Sequence, residues 1–282
     1  MINNLVSVVI PTKDRPRGVI SAIDSALSQT YENLDVLVVF NNSKKESVDL
    51  VRGYIKNNGL TDRVLILDLG DVKNANVARN AGYEAASGAY VSFLDSDDFY
   101  LESHIQNALR LFDANPELGL VYGSFYLDDG ETRRKCIATP LDSGYISCPF
   151  SYILGKNSGW AQTSSLVVRK DIVGSVRWDD SLSRHQDFDY FLTLAKRVKL
   201  GCCIEPSVVV NWIKGEKRKV DFDGLFKFCK KWKNEIPPKV LKEYALKMVE
   251  FSASRRNVVG MIFYFSLLCR AYFGIAKGWF VR

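Results

Sequence analysis

The first hundred residues alternate short apolar, β-branched runs with longer segments whose apolar residues recur at helical spacing. Strands that are apolar throughout are typical of a parallel sheet covered on both faces. The alternation therefore predicts an α/β fold with a mostly parallel central sheet and helices on both faces. We predict strands at residues 5–10, 34–40, 64–67 and 90–94, and helices from Pro16 to residue 27, from the turn at 41–43 through residue 55, and over residues 76–86.

The pattern changes beyond about residue 117, where we predict strands at 119–127 and 164–169 on either side of a loop rich in glycine, serine and proline. A helix is expected over residues 188–198. From about residue 222 the chain is helical, basic and aromatic in character. We therefore divide it into a body, residues 1–213 with halves at 1–100 and 101–213, and a helical tail, residues 214–282.

Charge is distributed unevenly between these parts. The whole chain has 38 Lys and Arg against 32 Asp and Glu, a net charge of +6. Residues 1–213 hold 22 basic and 26 acidic residues, whereas residues 214–282 hold 16 basic and 6 acidic. The tail is therefore expected to face an anionic surface, a membrane or a nucleic acid, and a solvated basic face is the alternative. With 47% hydrophobic and 25% charged residues, the composition excludes a disordered, collagen-like or coiled-coil chain.

A cluster of acids follows the fourth predicted strand. Ligands of parallel sheets bind beyond the carboxyl ends of the strands, where the loops after the first, second and fourth strands should converge. Asp95, Asp97 and Asp98 lie in the last of these loops, and carboxylates this close repel unless a cation neutralises them. Oxygen ligands suit Mg²⁺ or Mn²⁺, in particular an ion shared with a diphosphate. A solvated turn or a helix cap is the alternative, and we prefer a cap for the similar pair at 221 and 223.

Two further segments carry charged side chains towards the expected crevice. Asp187 and Asp189 precede a helix, so they either complement its dipole or include a general base for an acceptor hydroxyl. Arg79 either binds phosphate or Asp95, or forms a purely structural ion pair. The sequence contains no Gly-x-Gly-x-x-Gly after the first strand and no Walker A loop, which argues against dinucleotide and P-loop proteins.

In order, these segments resemble glycosyltransferase family 2, which has the GT-A fold, and in particular its bacterial surface-polysaccharide members. The resemblance extends over about residues 5–200. It rests on residues 6–12 (Val-Ser-Val-Val-Ile-Pro-Thr), 78–82 (Ala-Arg-Asn-Ala-Gly), 88–98 (Gly-Ala-Tyr-Val-Ser-Phe-Leu-Asp-Ser-Asp-Asp) and 178–189 (Trp-Asp-Asp-Ser-Leu-Ser-Arg-His-Gln-Asp-Phe-Asp).

The resemblance implies a role for individual residues, with residues 1–100 as the nucleotide-sugar half and 101–213 as the acceptor half. One position departs from the family, because Asn41 replaces an acid that commonly meets the base of the nucleotide. An amide can donate as well as accept, and we still expect UDP. The implied roles are nucleotide-sugar binding for Pro11, Thr12, Asp14, Asn41, Arg79, Asp95 and Ser96, a divalent Mn²⁺ or Mg²⁺ on Asp97, general base for Asp187, and helix orientation for Asp189.

The resemblance further implies an inverting, metal-dependent hexosyl transfer from a nucleoside-diphosphate sugar to a saccharide acceptor. We expect a lipid-linked acceptor and a place in O-antigen, capsule or exopolysaccharide synthesis. The alternative is a catalytically degenerate GT-A relative that binds a nucleotide or a glycan, and the change at Asn41 is its support. A nucleotidyltransferase would carry a glycine-rich, basic first loop, which residues 11–18 lack.

The tail contains an apolar run at residues 258–269 that reaches near-spanning length if extended to Ala276. Arg270 would then lie inside it, and Trp279 and Phe280 near its end. We expect a helix lying on the anionic inner face of the cytoplasmic membrane, and a helix packed on the body is the alternative. We expect no nucleic-acid partner, since no reading motif is present. Six cysteines without a CxxC pair and a first apolar run too short for a signal peptide predict a cytoplasmic protein.

Overall fold

The computed structural model of the chain describes residues 2–72, 74–141, 148–156, 159–212 and 220–276. The strands are β1 (Ile2–Thr12), β2 (Leu34–Phe40), β3 (Val64–Asp68), β4 (Gly88–Phe93), β5 (Phe99–Tyr100), β6 (Leu118–Gly123), β7 (Phe125–Asp128), β8 (Arg133–Cys136), β9 (Val167–Arg169), β10 (Lys199–Cys203) and β11 (Val208–Asn211). The helices are α1 (Pro16–Leu27), α2 (Lys45–Asn57), α3 (Ala75–Ala85), α4 (His104–Ala114), α5 (Pro149–Leu154), α6 (Lys170–Val173), α7 (Gln186–Ala195), α8 (Phe222–Trp232), α9 (Pro238–Ser254) and α10 (Val258–Ala276).

Seven strands form the central sheet in the order β10-β6-β9-β4-β1-β2-β3. Among the strands described in this sheet, β9 alone runs antiparallel to its neighbours β4 and β6. The strand order reverses at β1, which pairs in parallel with β2 on one side and β4 on the other. Such a switch point opens a crevice at the carboxyl ends of the strands. The predicted α/β fold with a mostly parallel sheet is confirmed.

Side chains of β1 alternate between two hydrophobic cores, one on each face of the sheet. Val9 packs with Ala78 and Tyr83 of α3. Its neighbours Val8 and Ile10 belong to the other core, together with apolar residues of α1 and α2. Because both faces are covered, the central strands are mostly apolar, as the sequence indicates.

Two predicted elements beyond residue 117 are wrong in their bounds. The strand expected over 119–127 is divided at Ser124, whose N–H donates to the carbonyl of Cys203 at 2.9 Å. The chain passes there from the central sheet into a smaller sheet of order β5-β11-β7-β8. The strand expected over 164–169 is confined to β9, because Thr163–Ser165 form a 3-10 turn. Periodicity cannot reveal such a break, since both strands of the divided segment are apolar.

Helices α8, α9 and α10 share a hydrophobic core with α5 and α7 of the body. Trp232 of α8 contacts Phe150 of α5, with ring centroids 5.5 Å apart. Tyr244 of α9 and Tyr264 of α10 lie in the same core. The division into a catalytic domain (1–213) and a tail (214–282) stays a prediction, and the segment at its boundary, residues 213–219, lies outside the described residues.

Helix α10 is buried on one side and exposed on the other. The buried side includes Gly260, Tyr264, Leu267, Leu268 and Ala271. Within the described residues, α10 is the one helix long and apolar enough to cross a membrane by length and composition, and 22% of its apolar window is buried. The predicted Trp279 and Phe280 lie outside the described residues. The exposed large apolar residues of α10, which we call its outward face, are Val258, Val259, Ile262, Phe265, Tyr272, Phe273 and Ile275.

Candidate active site

The loops that follow β1, β2 and β4 meet at the switch point, as predicted. The N–H of Asn41 donates to the carbonyl of Thr12 at 3.0 Å, which joins the ends of β2 and β1. Asp14 adopts a left-handed backbone with φ of 49°, and its Oδ1 accepts from the N–H of Lys44 at 2.6 Å. Arg15 forms an ion pair with Asp97. Three separate segments of chain therefore form one continuous rim around the crevice.

Several of the predicted nucleotide-binding residues form the buried floor of this crevice. Pro11, Thr12, Asn41 and Ser96 are all buried. Thr12 Oγ1 has no hydrogen-bond partner among the described residues. The side chain of Asn41, 6% exposed, likewise forms no hydrogen bond with any residue that the structure describes. Buried polar groups are normally paired, so this floor offers free hydrogen-bonding capacity to a ligand.

The acid loop, residues 95–98, is anchored to the protein interior by the buried side chain of its last residue, Asp98. Asp98 is buried and accepts hydrogen bonds from Ser164 Oγ at 2.6 Å, Gln162 Nε2 at 3.0 Å and the N–H of Asn211 at 3.0 Å. Burial, together with the neighbouring carboxylate of Asp95, raises the pKa of Asp98. Asp98 therefore fixes the loop to the 3-10 turn and to β11, and the crevice is left to Asp95 and Asp97.

Arg79 connects the acid loop with the start of α7. Its guanidinium binds Asp95 at 2.6 Å and Gln186 Oε1 at 3.2 Å, and only 6% of its side chain is exposed. It also receives support from Asn76 Oδ1 at 2.9 Å and lies over the Trp178 ring, 4.6 Å from the centroid. The ion pair of Arg79 with Asp95 is present, and phosphate binding by Arg79 stays a prediction. Its several contacts hold the guanidinium in a fixed position.

Asp97 is the carboxylate of the acid loop that could hold a divalent cation. Its side chain is 35% exposed at the crevice, and the guanidinium of Arg15 already lies against it as a stand-in cation. In the described part of the chain no group of three or more His, Cys, Asp or Glu residues could hold a metal ion. Mg²⁺ is commonly bound by one or two carboxylates together with substrate phosphates. The residues therefore fit an ion that Asp97 shares with a diphosphate.

Asp187 lies in the first turn of α7, close enough to Arg79 and Asp95 for both charges to affect it. Burial raises the pKa of Asp187 from 3.8 to about 6, although the N–H of Phe188 and the charge of Arg79 oppose the rise. A carboxylate with this pKa is ionised at pH 7 and more basic than an ordinary aspartate. Both properties suit a general base.

The turn before Asp187 is connected to the C-terminal helices. His185 has a left-handed backbone with φ of 53°, and its Nε2 is hydrogen-bonded to the hydroxyl of Tyr244 at 3.0 Å. Its ring stacks on Phe188 with centroids 4.7 Å apart. Burial lowers the pKa of His185 to about 4, so the ring is neutral at pH 7. This contact between α7 and α9 gave no signal in the sequence, because 59 residues separate the partners.

The remaining acids of the predicted pairs have structural partners. Asp189 is buried and accepts from Trp232 Nε1 at 2.7 Å and from Lys231 Nζ at 2.9 Å. It therefore fixes α7 to α8 rather than facing the crevice. Asp221 is the N-cap of α8 and accepts from the N–H of Gly224 at 3.0 Å. The helix cap preferred for the pair at 221 and 223 is thus confirmed.

The polar face of α3 holds the segment that leads to Asp187, and sequence reasoning missed it. Asn76 Nδ2 donates to the carbonyls of Asp179 at 2.7 Å and Leu182 at 3.2 Å. Asn80 is bonded to both the N–H and the carbonyl of Trp178, at 2.9 Å and 2.8 Å. The signal that could have shown this is the repetition of asparagine along one helix, where such residues are unfavourable unless they bond another segment.

Comparison with solved structures shows the fold class. The chain superposes on S. aureus TarS 1–349 with a TM-score of 0.62 and 12% identity, covering 98% of this chain and 93% of TarS. It superposes on the mannosyltransferase PcManGT from Pyrobaculum calidifontis with a TM-score of 0.56 and 15% identity, covering 97% and 79% of the two chains. The architecture is the GT-A fold, an α/β fold with a mostly parallel central sheet.

The chain belongs to glycosyl transferase family 2, whose profile matches residues 7–156. The amylovoran biosynthesis glycosyltransferase AmsB of Erwinia amylovora is 29% identical over 189 residues, 65% of this chain and 61% of AmsB. The Escherichia coli protein WfaP is 26% identical over 142 residues. It is named as a glucosyltransferase that uses UDP-Glc and a diphosphoundecaprenol-linked GlcNAc. That match covers 50% of this chain and 54% of WfaP. The matched segments thus span about three fifths and about half of these two relatives.

Proposed function

We propose that this protein transfers a sugar from a nucleoside-diphosphate donor to a saccharide acceptor in bacterial polysaccharide biosynthesis, with inversion at the anomeric carbon. The observation that carries the proposal is the convergence of Asp187 and the acid loop at the switch point through Arg79. Relatives named for amylovoran and teichuronic acid biosynthesis support the polymer context.

In this mechanism the acceptor hydroxyl lies beside Asp187. Asp187 removes its proton while the hydroxyl oxygen attacks the anomeric carbon of the donor. The bond to the nucleoside diphosphate breaks in the same step, so one displacement inverts the configuration. Arg79 holds Asp95 and Gln186, and thereby keeps the donor and acceptor sides in register. A Mg²⁺ or Mn²⁺ held by Asp97 would neutralise the charge that develops on the leaving diphosphate.

We propose UDP as the donor nucleotide, bound along Pro11, Thr12, Asp14, Asn41 and Ser96. An amide at Asn41 can accept from the N3–H of uracil and donate to the adjacent carbonyl. WfaP is named for UDP-Glc, and TarS has been solved with UDP-GlcNAc, whereas PcManGT has been solved with GDP-Man and Mn²⁺. The nucleotide base of the donor thus differs among similar proteins, and the thermal-shift panel below tests which nucleotide this chain binds.

We propose a lipid-linked acceptor and attachment to the inner face of the cytoplasmic membrane through α10. One side of this helix is fixed to the body, so its outward face is free to enter the headgroup region while the catalytic body stays in water. The exposed cations Arg255, Arg256 and Arg270 lie beside or within α10 and would meet anionic lipid. WfaP, named for an undecaprenol-linked acceptor, supports this substrate class.

A thermal-shift panel of UDP, GDP, CDP and dTDP, each with and without Mn²⁺, tests the donor site. A ligand at 100 times its dissociation constant should stabilise the wild type by about 2.7 kcal/mol. We expect one nucleotide to act only with Mn²⁺, and Asp97→Asn to abolish the shift. No shift with any nucleotide would contradict the donor site. Binding without transfer from any matching nucleotide sugar to lipid-linked saccharides would favour a binding module.

A further inference from the structure

Two arginines bind carboxylates of the acid loop, and they differ sharply in exposure and in the number of their partners. Arg79 is 6% exposed and has several partners, as described above. Arg15 is 42% exposed, and among the described residues its side chain forms no hydrogen bond or ion pair other than that with Asp97. An exposed pair of this kind contributes about 0–1 kcal/mol. Arg15 can therefore leave Asp97 at little cost, whereas Arg79 cannot leave Asp95.

The backbone beneath Arg15 is fixed against the acid loop. Arg15 is the N-cap residue of α1, and its carbonyl accepts from the N–H of Val19 at 2.9 Å. Three residues later, a Cβ on Gly18 would lie 2.5 Å from the carbonyl oxygen of Ser96. The first turn of α1 thus touches the backbone of the acid loop. Movement of Arg15 is therefore confined to its side chain, which swings about a fixed point beside Asp97.

We propose that Arg15 occupies the cation position on Asp97 until the donor arrives, and then moves its guanidinium onto the donor's diphosphate. This inference rests on the proposed metal site at Asp97. A diphosphate that shares a metal with Asp97 must lie next to that carboxylate, and therefore within reach of a guanidinium that now touches it. Arginine binds phosphate through two parallel hydrogen bonds.

Charge balance gives the same assignment. Arg79 pairs with Asp95, and Arg15 places a positive charge against Asp97. With donor, the metal takes over at Asp97, and the diphosphate brings new negative charge that Arg15 then meets. Metal alone must displace Arg15, whereas metal with nucleotide gives Arg15 a new partner. The metal and the nucleotide should therefore bind with positive cooperativity.

Replacing Arg15 by alanine should consequently have two effects of opposite sign. Mn²⁺ alone should bind about 2- to 5-fold more tightly, because its competitor is gone. The nucleoside diphosphate, measured with saturating Mn²⁺, should bind about tenfold or more weakly, because charge-assisted hydrogen bonds to phosphate are lost. Arg15→Lys should retain part of both properties.

The experiment titrates Mn²⁺ into wild type, Arg15→Ala and Arg15→Lys and counts free Mn²⁺ by electron paramagnetic resonance. Isothermal titration calorimetry then measures UDP, or the nucleotide that binds in the panel, with Mn²⁺ saturating. Arg17→Ala is the matched control, because Arg17 is exposed in the same turn and its removal changes net charge equally. Asp97→Asn serves as the blank for the metal site.

Opposite effects in Arg15→Ala, with small effects in Arg17→Ala, would support the proposal. If Arg15→Ala and Arg17→Ala bind Mn²⁺ and UDP equally, Arg15 contributes only its positive charge, and the proposal is overturned. Weaker binding of both Mn²⁺ and UDP in Arg15→Ala would also overturn it, because Arg15 would then only support the loop. If wild type and Asp97→Asn bind Mn²⁺ equally, the metal site of the proposed function fails, and this inference fails with it.

Discussion

At the scale of single residues, the most informative position is Asp187, where a carboxylate is held in surroundings that disfavour its charge. Burial raises its pKa to about 6. Burial also raises the pKa of Asp189, two residues later, but Asp189 pairs with Lys231 and accepts a hydrogen bond from Trp232, and both oppose the rise. The two acids of one helical turn thus serve opposite purposes. One retains a basic, reactive oxygen, and the other gives up its reactivity to fix a helix.

Asp187→Asn should slow transfer severely and stabilise the fold above pH 6. Loss of a general base costs about 10²- to 10⁴-fold in rate. Because the pKa of Asp187 is raised in the fold, its stabilising contribution is fully present below about pH 4 and is lost as the pH rises through about 6. The amide lacks this titration, so Asp187→Asn should be more stable than wild type by about 1–3 kcal/mol at pH 8 and equal to it near pH 4.

Urea unfolding at pH 4, 6 and 8 measures this difference, with the exposed Asp62→Asn as control. The same pKa predicts that kcat/KM of the wild type rises with pH up to about 6 and then levels off. Full activity of purified Asp187→Asn would exclude the base assignment. A stability difference that does not vary with pH would exclude the raised pKa.

At the scale of secondary structure, α3 is the element that holds the two halves of the site together. It binds the acid loop through Arg79 and the segment before α7 through its asparagines. The helix therefore does more than cover the sheet, because its polar face sets the distance between the acid loop and the segment that leads to Asp187.

Asn76→Ala should destabilise the protein by about 2–4 kcal/mol, because the partly buried carbonyl of Asp179, the buried carbonyl of Leu182 and the guanidinium of Arg79 each lose a partner. Denaturant unfolding checks the value. Asn58→Ala is the control, since Asn58 makes one exposed bond to the carbonyl of Tyr54 and should cost no more than about 0.5 kcal/mol. Equal losses in the two variants would show that α3 does not hold this segment.

The elements near the N-terminus could be predicted because their signals are local. Each of the first four strands is an apolar run with a turn signal close after it, and the four bounds agree with the structure to within a few residues. The break at Ser124 could not be predicted, because the two strands on either side differ only in which sheet they join. For the same reason the sequence indicated Asp97 and Asp187 but not Arg15, His185 or Asn76. Their roles depend on partners brought together only by the fold.

At the scale of the whole molecule, α10 presents an apolar surface to solvent while its other side is built into the core. Phe265 and Phe273 on its outward face are 59% and 71% exposed. Burying such residues in a membrane interface would gain about 1.5–3 kcal/mol each. The helix need not cross the bilayer to achieve this, and crossing would remove Tyr264 and Leu267 from the shared core.

Phe273→Asp should therefore reduce binding to phosphatidylglycerol vesicles by about tenfold or more without loss of stability. Co-sedimentation measures the binding, which should also weaken with salt and with neutral phosphatidylcholine vesicles. Leu50→Asp is the matched control, because Leu50 is 61% exposed on α2. If both variants bind vesicles like the wild type, α10 is not the membrane contact.

The hydrogen bond between His185 and Tyr244 joins the turn before α7 to α9, so we expect these two parts of the chain to unfold together. His185 also packs against Phe228 of α8, with ring centroids 5.0 Å apart, and α7 to α10 share one core. Helix α7 thus cannot separate from α9 without exposing this core and an unpaired imidazole. The helix that carries Asp187 and the helix with the apolar outward face therefore form one cooperative unit, whose parts open together rather than fraying one by one.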